Sequence, residues 1–570
     1  MLLRLKLFFV FMFLGFALLL ARLFYWQVYK GGELAIEARQ QHQAGMILSA
    51  PRGDIYTADG NLLAASTDMW LVYADIPNIN EDITSIADKL APLFVDDPSD
   101  KSEVFNEAGR IKELLSKKDL LWVSLKQKVG GEIKKKVEKL EIKGLGFEKQ
   151  EGRFYPEASA AAHLLGFVGK NKEGQDQGYF GLEGYYDLVL SGKPGYILRE
   201  NDAAGLPIAA GSSKEITAVE GVNLVTYING GIQLDLDQKL RQGIEKYGAN
   251  GGTAIVMDPK TGGIIAMSSY PSYDPLKYYD YGDKFFINPA ISLSFEPGSI
   301  FKVLVMASAL DAGVIKPETK CDICQGPVKI DKYTIGTWND VYHKDTDMTE
   351  IIVNSDNVGM VFVGQKLGIE KMYDYLDSFA MGKKTDIDLQ GEMSPQLRKK
   401  EDWGLIDLAT ASFGQGIAVT PIQMVRAVGA IANGGLMLSP QVVDKISGNE
   451  WQNDVRETSI KRIISEKAAK EMSAMMAEAA RGGESKWTNI KGFRVAGKTG
   501  TAQIPIAGHY DSEKTIASFI GFAPVEDPDF VMLVTLHEPK TSPWASETAA
   551  PLWYLIARDL FVYYGIQPED

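Results

Sequence analysis

The hydrophobic pattern of the first thirty residues differs from that of the rest of the chain. Residues 7–21 form an uninterrupted apolar run between two basic residues. With its apolar flanks, the stretch 5–27 is long enough to cross a bilayer as a helix, which takes about 20 residues. The basic residues before it predict a cytoplasmic N-terminus. A cleaved signal peptide is the alternative, but Tyr25 and Trp26 stand where small residues should mark a cleavage site, which favours an uncleaved anchor.

Later stretches alternate or cluster their apolar positions in ways that predict strands and helices. Five of them predict strands, at residues 222–228, 253–257, 264–267, 516–523 and 530–537. Residues 232–247 repeat their apolar positions at the three- and four-residue spacing of a helix. The turn residues 258–263 separate two apolar runs, which are therefore expected to pair as a hairpin. Strands and helices then alternate to about residue 565.

Composition narrows the class of protein. The chain has 570 residues, of which 45% are hydrophobic and 24% charged, as in globular proteins of several domains. The net charge of −14 argues against a nucleic-acid partner. Only two cysteines occur, the five histidines are widely scattered, and no H-E-x-x-H motif is present, so we expect neither a metal site nor another cofactor. A metal-free nucleophile is the better candidate.

The first candidate for that nucleophile is Ser299, in the motif Ser299-Ile300-Phe301-Lys302. Residues three apart share a helix face, so Lys302 would lie beside Ser299. A serine hydroxyl needs a base, and a lysine can serve if burial lowers its pKa. The alternative is a helix-capping serine with a surface lysine. A four-residue pattern is weak evidence on its own, although this is the only Ser-x-x-Lys sequence in the chain.

A second motif, Ser355-Asp356-Asn357, follows a helix-like stretch. Its hydroxyl could relay a proton and its amide could hold a substrate carbonyl, whereas the alternative is an ordinary polar turn. A similar pattern, Ser447-Gly448-Asn449, lies in a loop-like stretch and is interpreted as a plain turn.

The third motif is Lys498-Thr499-Gly500-Thr501, which follows Phe493-Arg494-Val495-Ala496-Gly497 and is predicted to lie on a strand. Gly500 would let a ligand approach the backbone closely. Lys498 would supply positive charge for a carboxylate, and the threonines would supply hydroxyl donors. Lys260-Thr261-Gly262 repeats the pattern, but it falls in the predicted hairpin turn and precedes Ser299.

Together the three motifs occur in the order found in class A β-lactamases and penicillin-binding proteins. The chain resembles class B penicillin-binding proteins from its apolar N-terminus almost to its last residue. Arg52-Gly53-Asp54-Ile55 resembles their membrane-proximal signature. Residues 153–156, 181–184 and 202–205 resemble their N-terminal pedestal, while Ile300 stands where the family usually has Thr or Ser.

The resemblance implies an α+β fold. The transpeptidase domain would be of the penicillin-binding and serine β-lactamase type, with an antiparallel sheet, helices on both faces and an all-α subdomain. We expect a cytoplasmic stub and transmembrane anchor at 1–30, an elongated α+β pedestal or dimerisation-type domain at 31–248, and the transpeptidase domain at 249–570. No stretch resembles a glycosyltransferase domain.

The resemblance also implies a reaction. Lys302 would take the proton of Ser299, which attacks the carbonyl between two terminal D-alanines of a peptidoglycan stem peptide. Ser355 would pass a proton to the leaving amine, Asn357 would orient the peptide, and Lys498 would face the terminal carboxylate. An amine of a second stem peptide would then resolve the acyl-enzyme.

The same resemblance assigns substrate-binding groups. Thr499, Gly500 and Thr501 would bind substrate, and the two threonines with Lys498 would hold the terminal carboxylate. Backbone N–H groups of Ser299 and Thr501 would form the oxyanion hole. Trp338 either flanks the substrate groove or packs in the core.

The expected partners are stem peptides as donor and acceptor, β-lactams that acylate Ser299, a membrane glycosyltransferase polymerase and other divisome proteins. The catalytic domain would lie outside the cell membrane. Residues 295–299 and 412–423 look closer to the cell-division (FtsI-like) type than to the elongation type, which remains the alternative. A β-lactamase is less similar because no clear deacylating glutamate is found. A β-lactam sensor would need further transmembrane helices or a cytoplasmic signalling domain, and the sequence shows neither. A silent scaffold should have lost a motif residue, and none is lost.

Cys321-Asp322-Ile323-Cys324 allows several interpretations in an exported domain. A structural loop, a local disulfide and a redox motif are all compatible with this spacing.

Overall fold

The computed structural model describes residues 2–30, 43–48, 50–117, 119–156, 160–200, 213–448, 452–454, 460–506 and 509–569. At its start, an α-helix over Leu2–Phe24 continues as a wider π-type turn over Tyr25–Tyr29. These 28 residues are long and apolar enough to cross a membrane. The predicted span 5–27 therefore lies within one continuous helix.

The chain folds into two compact units, each built from separate stretches of sequence. The smaller unit comprises Met1–Arg52, Met69–Glu151 and Ser191–Gly221, and the larger unit comprises Gly53–Asp68, Gly152–Leu190 and Val222–Asp570. The domain boundary at 248 and 249 stays a prediction.

The smaller unit is α+β. Its helices are Ile83–Phe94, Lys101–Leu115 and Gly131–Glu138. Its strands are Gln43–Leu48, Trp122–Gly130, Gly195–Glu200, Ser213–Ile216, most of Leu145–Phe154 and the second half of Leu62–Asp75. Asp82 and Asp100 accept hydrogen bonds from backbone N–H groups of the first helical turn, which satisfies donors that a helix leaves unpaired. Apolar residues of the helices and strands share one core, which includes Val72, Ile86 and Ile111.

An antiparallel five-stranded sheet forms the centre of the larger unit. Its strands lie in the order Ile264–Tyr270, Gly251–Met257, Phe530–His537, His509–Ala523 and Ala496–Ile506. The predicted hairpin is confirmed, since Ala254 pairs with Ser268 and Val256 with Ala266. The predicted closing strands are confirmed as antiparallel neighbours.

Helices cover both faces of this sheet. Successive side chains of a strand point to opposite faces, and Ala254 and Val256 belong to one buried cluster while Ile255 and Met257 belong to the other. The first cluster includes residues of the helices Gly230–Tyr247 and Ala549–Tyr563. Two-sided burial explains why residues 254–257 are apolar without alternation.

The larger unit also contains an all-α part, whose apolar residues belong to the second cluster, and several short elements. The longer helices of this part are Lys302–Asp311, Met348–Val353, Asn357–Ser378 (interrupted at Gly368), Leu405–Ala411, Pro421–Ala432 and Glu466–Gly482. One-turn helices cover Ala162–Leu165, Gly181–Tyr185, Asp187–Leu190 and Pro289–Ser292. Short strands are Ile55–Tyr56, Phe167–Lys170, Asp176–Tyr179, Asn223–Thr226, Val328–Ile330, Tyr333–Ile335, Leu436–Leu438, Val443–Ser447, Gln452–Asp454 and Ile460–Arg462.

A buried ion pair joins three segments that the resemblance singles out. Arg153 Nε donates to Glu183 Oε1 over 2.6 Å, and Arg153 Nη1 donates to the carbonyl of Gly53 over 2.8 Å. The Arg153 and Glu183 side chains are 5% and 0% exposed. The fourth segment, 202–205, lies outside the described residues, as does Asn449.

Replacing Glu183 with Ala should lower the free energy of unfolding by about 3–5 kcal/mol, because it leaves the buried guanidinium of Arg153 without its carboxylate partner. Denaturant unfolding measures the loss. The matched control is Asp176→Ala, which breaks the exposed Lys170–Asp176 pair and should cost at most about 1 kcal/mol. Equal losses in the two variants would contradict a structural role for the buried pair.

Candidate active site

Ser299 lies where a tight turn becomes a helix. Gly298–Phe301 form a 3₁₀ turn that runs into the helix Lys302–Asp311, and the N–H of Lys302 donates to the carbonyl of Ser299. Gly298 has a φ of +55°, a conformation that favours glycine. Its N–H donates to the carbonyl of Gly414 over 3.0 Å. The sequence predicts a helix that starts at Ser299 and runs through residues 303–307, and the structure has this helix with its first turn in the 3₁₀ form.

The Lys302 side chain is fully buried and donates three hydrogen bonds. Its Nζ lies 2.6 Å from Ser355 O, 2.7 Å from Asn357 Oδ1 and 3.3 Å from Ser355 Oγ. Ser355 Oγ in turn donates to Ser299 Oγ over 3.0 Å. The hydroxyl of Ser355 therefore bridges the amine of Lys302 and the hydroxyl of Ser299.

Backbone geometry places Ser355 at that point. It sits between the helices Met348–Val353 and Asn357–Ser378, and its φ is +54°. The next residue, Asp356, caps the second helix by accepting a hydrogen bond from the N–H of Gly359 over 3.0 Å. The turn thus directs the Ser355 hydroxyl toward Lys302 while Asp356 is used for capping.

The surroundings lower the pKa of Lys302 to about 7. Burial is the main cause, and the positive charge of Lys498 adds to it, while Glu484 and Asp356 act in the opposite direction. Near neutral pH a large fraction of this amine is therefore uncharged and able to accept a proton.

Lys498 lies on Ala496–Ile506, the outermost strand of the central sheet. Its amine is buried, which lowers its pKa, and Glu484 partly offsets this effect. Lys498 Nζ donates to Thr499 Oγ1 over 3.2 Å. Thr499 Oγ1 donates to Glu484 Oε2 over 3.0 Å. The carboxylate of Glu484 is thus linked to Lys498 through one hydroxyl.

Thr501 is placed differently from Thr499. Its Oγ1 accepts a hydrogen bond from the N–H of Ala545 over 3.0 Å, which leaves its own proton available to a ligand. The hydroxyl proton of Thr499 is instead directed to Glu484.

Gly500 lets the strand pack against the turn that carries Ser299. A Cβ at this position would lie 2.8 Å from Ile300 Cγ2 and 3.1 Å from the carbonyl oxygen of Pro297. Ile300 is fully buried. The isoleucine that is unusual for the resembled family therefore fills the space directly over Gly500.

One groove brings most of the predicted residues together. It is lined by Gly298, Ser299, Trp338, Ser355, Asn357, Phe413, Gln415, Glu484, Thr499, Thr501, Ala502 and Trp544. Trp338 is 47% exposed, and its ring centroid lies 5.4 Å from that of Trp544. Of the two alternatives for Trp338, the structure therefore favours the groove over the core.

Sequence reasoning did not assign six of the groove residues to the site: Gly298, Phe413, Gln415, Glu484, Ala502 and Trp544. Glu484 follows the helix Glu466–Gly482, and Trp544 lies in the segment before Ala549–Tyr563. Neither belongs to a spaced motif, because each reaches the groove only through tertiary contacts. The spacing of residues along the chain gives no signal for either of them.

The second Lys-Thr-Gly sequence is a structural turn. Thr261 Oγ1 donates to Asp258 Oδ2 over 2.8 Å, and Gly262 has a φ of +79°. The side chain of Lys260 pairs with Asp527 over 2.8 Å. This confirms the hairpin turn expected from the sequence.

Cys321 and Cys324 form a disulfide, one of the alternatives that the sequence left open. Both residues are buried, and the N–H of Cys321 donates to the carbonyl of Thr346 over 2.9 Å. Within the described residues, no group of three or more His, Cys, Asp or Glu side chains is placed to hold a metal ion.

Comparison with known proteins agrees with this arrangement. Residues 252–561 match the family described as penicillin binding protein transpeptidase domain, and residues 47–226 match the penicillin-binding protein dimerisation domain. Stage V sporulation protein D of Bacillus subtilis (strain 168) is 30% identical, over 99% of this chain and 87% of its own length. Peptidoglycan D,D-transpeptidase FtsI of Escherichia coli (strain K12) is 28% identical, over 98% of this chain and 91% of its own length.

A solved structure shows the same fold. Penicillin binding protein 2X from Streptococcus thermophilus superposes with a TM-score of 0.74 at 26% identity, over 92% of this chain and 83% of that one. The predicted fold class and family resemblance are confirmed. The chain belongs to the penicillin-binding protein transpeptidases and carries their dimerisation domain ahead of the transpeptidase domain.

Proposed function

We propose that this protein is a peptidoglycan D,D-transpeptidase that crosslinks stem peptides through an acyl-enzyme on Ser299. The observation that carries the proposal is the hydrogen-bonded sequence Lys302, Ser355, Ser299, which begins at an amine whose pKa is about 7. A weak nucleophile is thereby connected to a base that is partly neutral at working pH. Relatives named peptidoglycan D,D-transpeptidase support the same reaction.

In the acylation step, Ser299 Oγ attacks the carbonyl carbon between the two terminal D-alanines. When Lys302 is neutral, both hydroxyls can turn, so that Ser299 donates to Ser355 Oγ and Ser355 donates to Lys302 Nζ over the same distances. The proton of Ser299 then passes to Ser355 Oγ, whose own proton passes to Lys302. When the tetrahedral intermediate collapses, the peptide C–N bond breaks and the proton returns through Ser355 to the leaving amine of D-alanine. Asn357 Oδ1 accepts a hydrogen bond from Lys302 and so holds the lysine amine in place. The side-chain amide of Asn357 also orients the substrate peptide.

Substrate binding is assigned to the neighbouring strand. The charge of Lys498 and the available proton of Thr501 bind the terminal carboxylate, with Thr499 and Gly500 forming the adjoining surface. Backbone N–H groups of Ser299 and Thr501 act as the oxyanion hole, in which loss of one donor typically costs about 10²–10³ in rate.

We assign the chain to septal wall synthesis during cell division, with partners that include a membrane glycosyltransferase polymerase and other divisome proteins. The division-type stretches 295–299 and 412–423 support this role over elongation. The apolar helix Leu2–Tyr29 would anchor the protein in the cell membrane by a single pass, with the catalytic domain outside.

Penicillin treatment should give a stable covalent adduct on Ser299, which mass spectrometry of the digested protein locates. Ser299→Ala should abolish the adduct. Ser294→Ala, an exposed serine on the same segment, is the matched control and should retain it. An adduct that persists in Ser299→Ala would contradict the assignment, and rapid release of hydrolysed penicillin would indicate a β-lactamase.

The acylation rate should rise with pH through about 7, because the neutral form of Lys302 is the base. The negative charge of Glu484 raises the pKa of Lys302, so Glu484→Gln should move this rise to lower pH. Stopped-flow acylation with a chromogenic β-lactam measures both profiles. A rise that stays in place or moves to higher pH in Glu484→Gln would contradict the electrostatic argument.

A fluorescent fusion to the full chain should concentrate at midcell in dividing cells, because the proposed role is septal. Live-cell imaging measures its distribution between septum and lateral wall. A Ser299→Ala fusion serves as the control for localisation without activity. Uniform labelling of the lateral wall would favour the elongation role instead.

A further inference from the structure

A second pocket adjoins the groove that holds Ser299. It is lined by Thr337, Trp338, Asn339, Val341, His343, Val353, Asn354, Asp356, Gly482, Gly483 and Glu484. Trp338 and Glu484 line both this pocket and the groove. A molecule bound in the second pocket would therefore meet the nucleophile groove between an indole ring and a carboxylate.

Glu484 retains unused hydrogen-bonding capacity. Its Oε2 accepts from Thr499 Oγ1 over 3.0 Å, whereas Oε1 accepts no hydrogen bond from the described part of the chain. Glu484 also forms no direct ion pair among the described residues, although its charge acts on Lys302 and Lys498 from further away. One carboxylate oxygen thus remains able to accept a charged donor.

The remaining lining also suits a cation. Trp338 donates its Nε1 proton to the carbonyl of Asn354 over 3.3 Å, so its hydrogen-bonding edge is occupied while about half of the side chain is exposed. An exposed indole face attracts cations. The titratable groups lining the pocket are Glu484, Asp356 and His343, and no lysine or arginine is among them.

We propose that this pocket is the subsite for the acceptor, and that it binds the protonated primary amine of the second peptide between Glu484 and Trp338. This proposal rests on the acyl-transfer function proposed above. A primary amine with an ordinary pKa of about 10 reaches the enzyme mainly as an ammonium ion. The pocket would bind that form beside the acyl-enzyme.

The transfer step balances with the groups already present. The ammonium nitrogen loses one proton through Ser355 Oγ to neutral Lys302 and attacks the acyl carbonyl carbon. A new C–N bond forms, the bond from carbon to Ser299 Oγ breaks, and a second nitrogen proton goes to Ser299 Oγ. The products are an amide, free Ser299 and protonated Lys302.

The test compares two fates of one acyl-enzyme. The full chain in detergent receives an acyl-D-alanyl thiolester as donor and either Nα-acetyl-lysine amide or hydroxylamine as acceptor. The first acceptor is a cation at neutral pH, whereas hydroxylamine is neutral. The ratio of aminolysis to hydrolysis is independent of the acylation rate, because both products come from the same intermediate.

Glu484→Gln should raise the concentration of Nα-acetyl-lysine amide needed for half-maximal aminolysis about fivefold relative to that of hydroxylamine, because an effect transmitted through Lys302 acts on both acceptors alike. Glu484→Asp should restore part of the preference, because it keeps the charge.

Asn339 offers a charge test away from the catalytic residues. Its Oδ1 accepts from the N–H of Val341 over 3.1 Å, a bond that an aspartate can also make. Asn339→Asp should lower the half-maximal concentration of the charged acceptor about threefold, and Asn339→Lys should raise it about threefold. Asn171→Asp is the matched control, since Asn171 Oδ1 makes the same kind of turn bond to Glu173 over 3.0 Å, and it should have no effect.

The subsite would be supported if the half-maximal concentration of Nα-acetyl-lysine amide, relative to that of hydroxylamine, followed the charge introduced into or removed from the pocket. Unchanged ratios in these variants, or equal changes for both acceptors, would overturn it while leaving the acyl-enzyme mechanism standing. If the wild-type protein formed no acyl-enzyme with the donor, as judged by mass spectrometry, the proposed function itself would fall and the subsite with it.

Discussion

The site depends on the burial of the Lys302 amine among neutral acceptors. Its Nζ donates to Ser355 O, Ser355 Oγ and Asn357 Oδ1, and it forms no direct ion pair within the described part of the chain. A carboxylate in contact would hold the proton on the amine. Burial instead lowers the pKa to about 7, and the hydrogen bonds keep the buried nitrogen satisfied. The same contacts bring Ser355 into line with Ser299.

The fold supplies this environment through backbone features at the meeting points of its elements. Positive φ angles at Gly298 and Ser355 direct two chain segments toward one point. The absence of a side chain at Gly500 lets the outer strand pack on Ile300, which places Lys498 close enough to influence Lys302. Helices on both faces of the sheet hold that strand in position.

Periodicity and motif order were sufficient to predict the hairpin around residue 260, the helix from Ser299 and the family resemblance. They were insufficient for features that arise in three dimensions. The 299–302 spacing predicted that Lys302 lies beside Ser299. It did not predict that the hydroxyl of Ser355 hydrogen-bonds to both residues. Glu484 joins the site through Thr499, a contact that no spacing along the chain encodes.

The most direct test of the central claim is a double-mutant cycle on Ser299 acylation. Second-order rate constants for a β-lactam would be measured for Lys302→Ala, Ser355→Ala and the double variant. Because the two side chains act as one proton route, the double variant should be about as slow as the slower single variant. Losses that multiply across the two positions would show independent action and contradict the account.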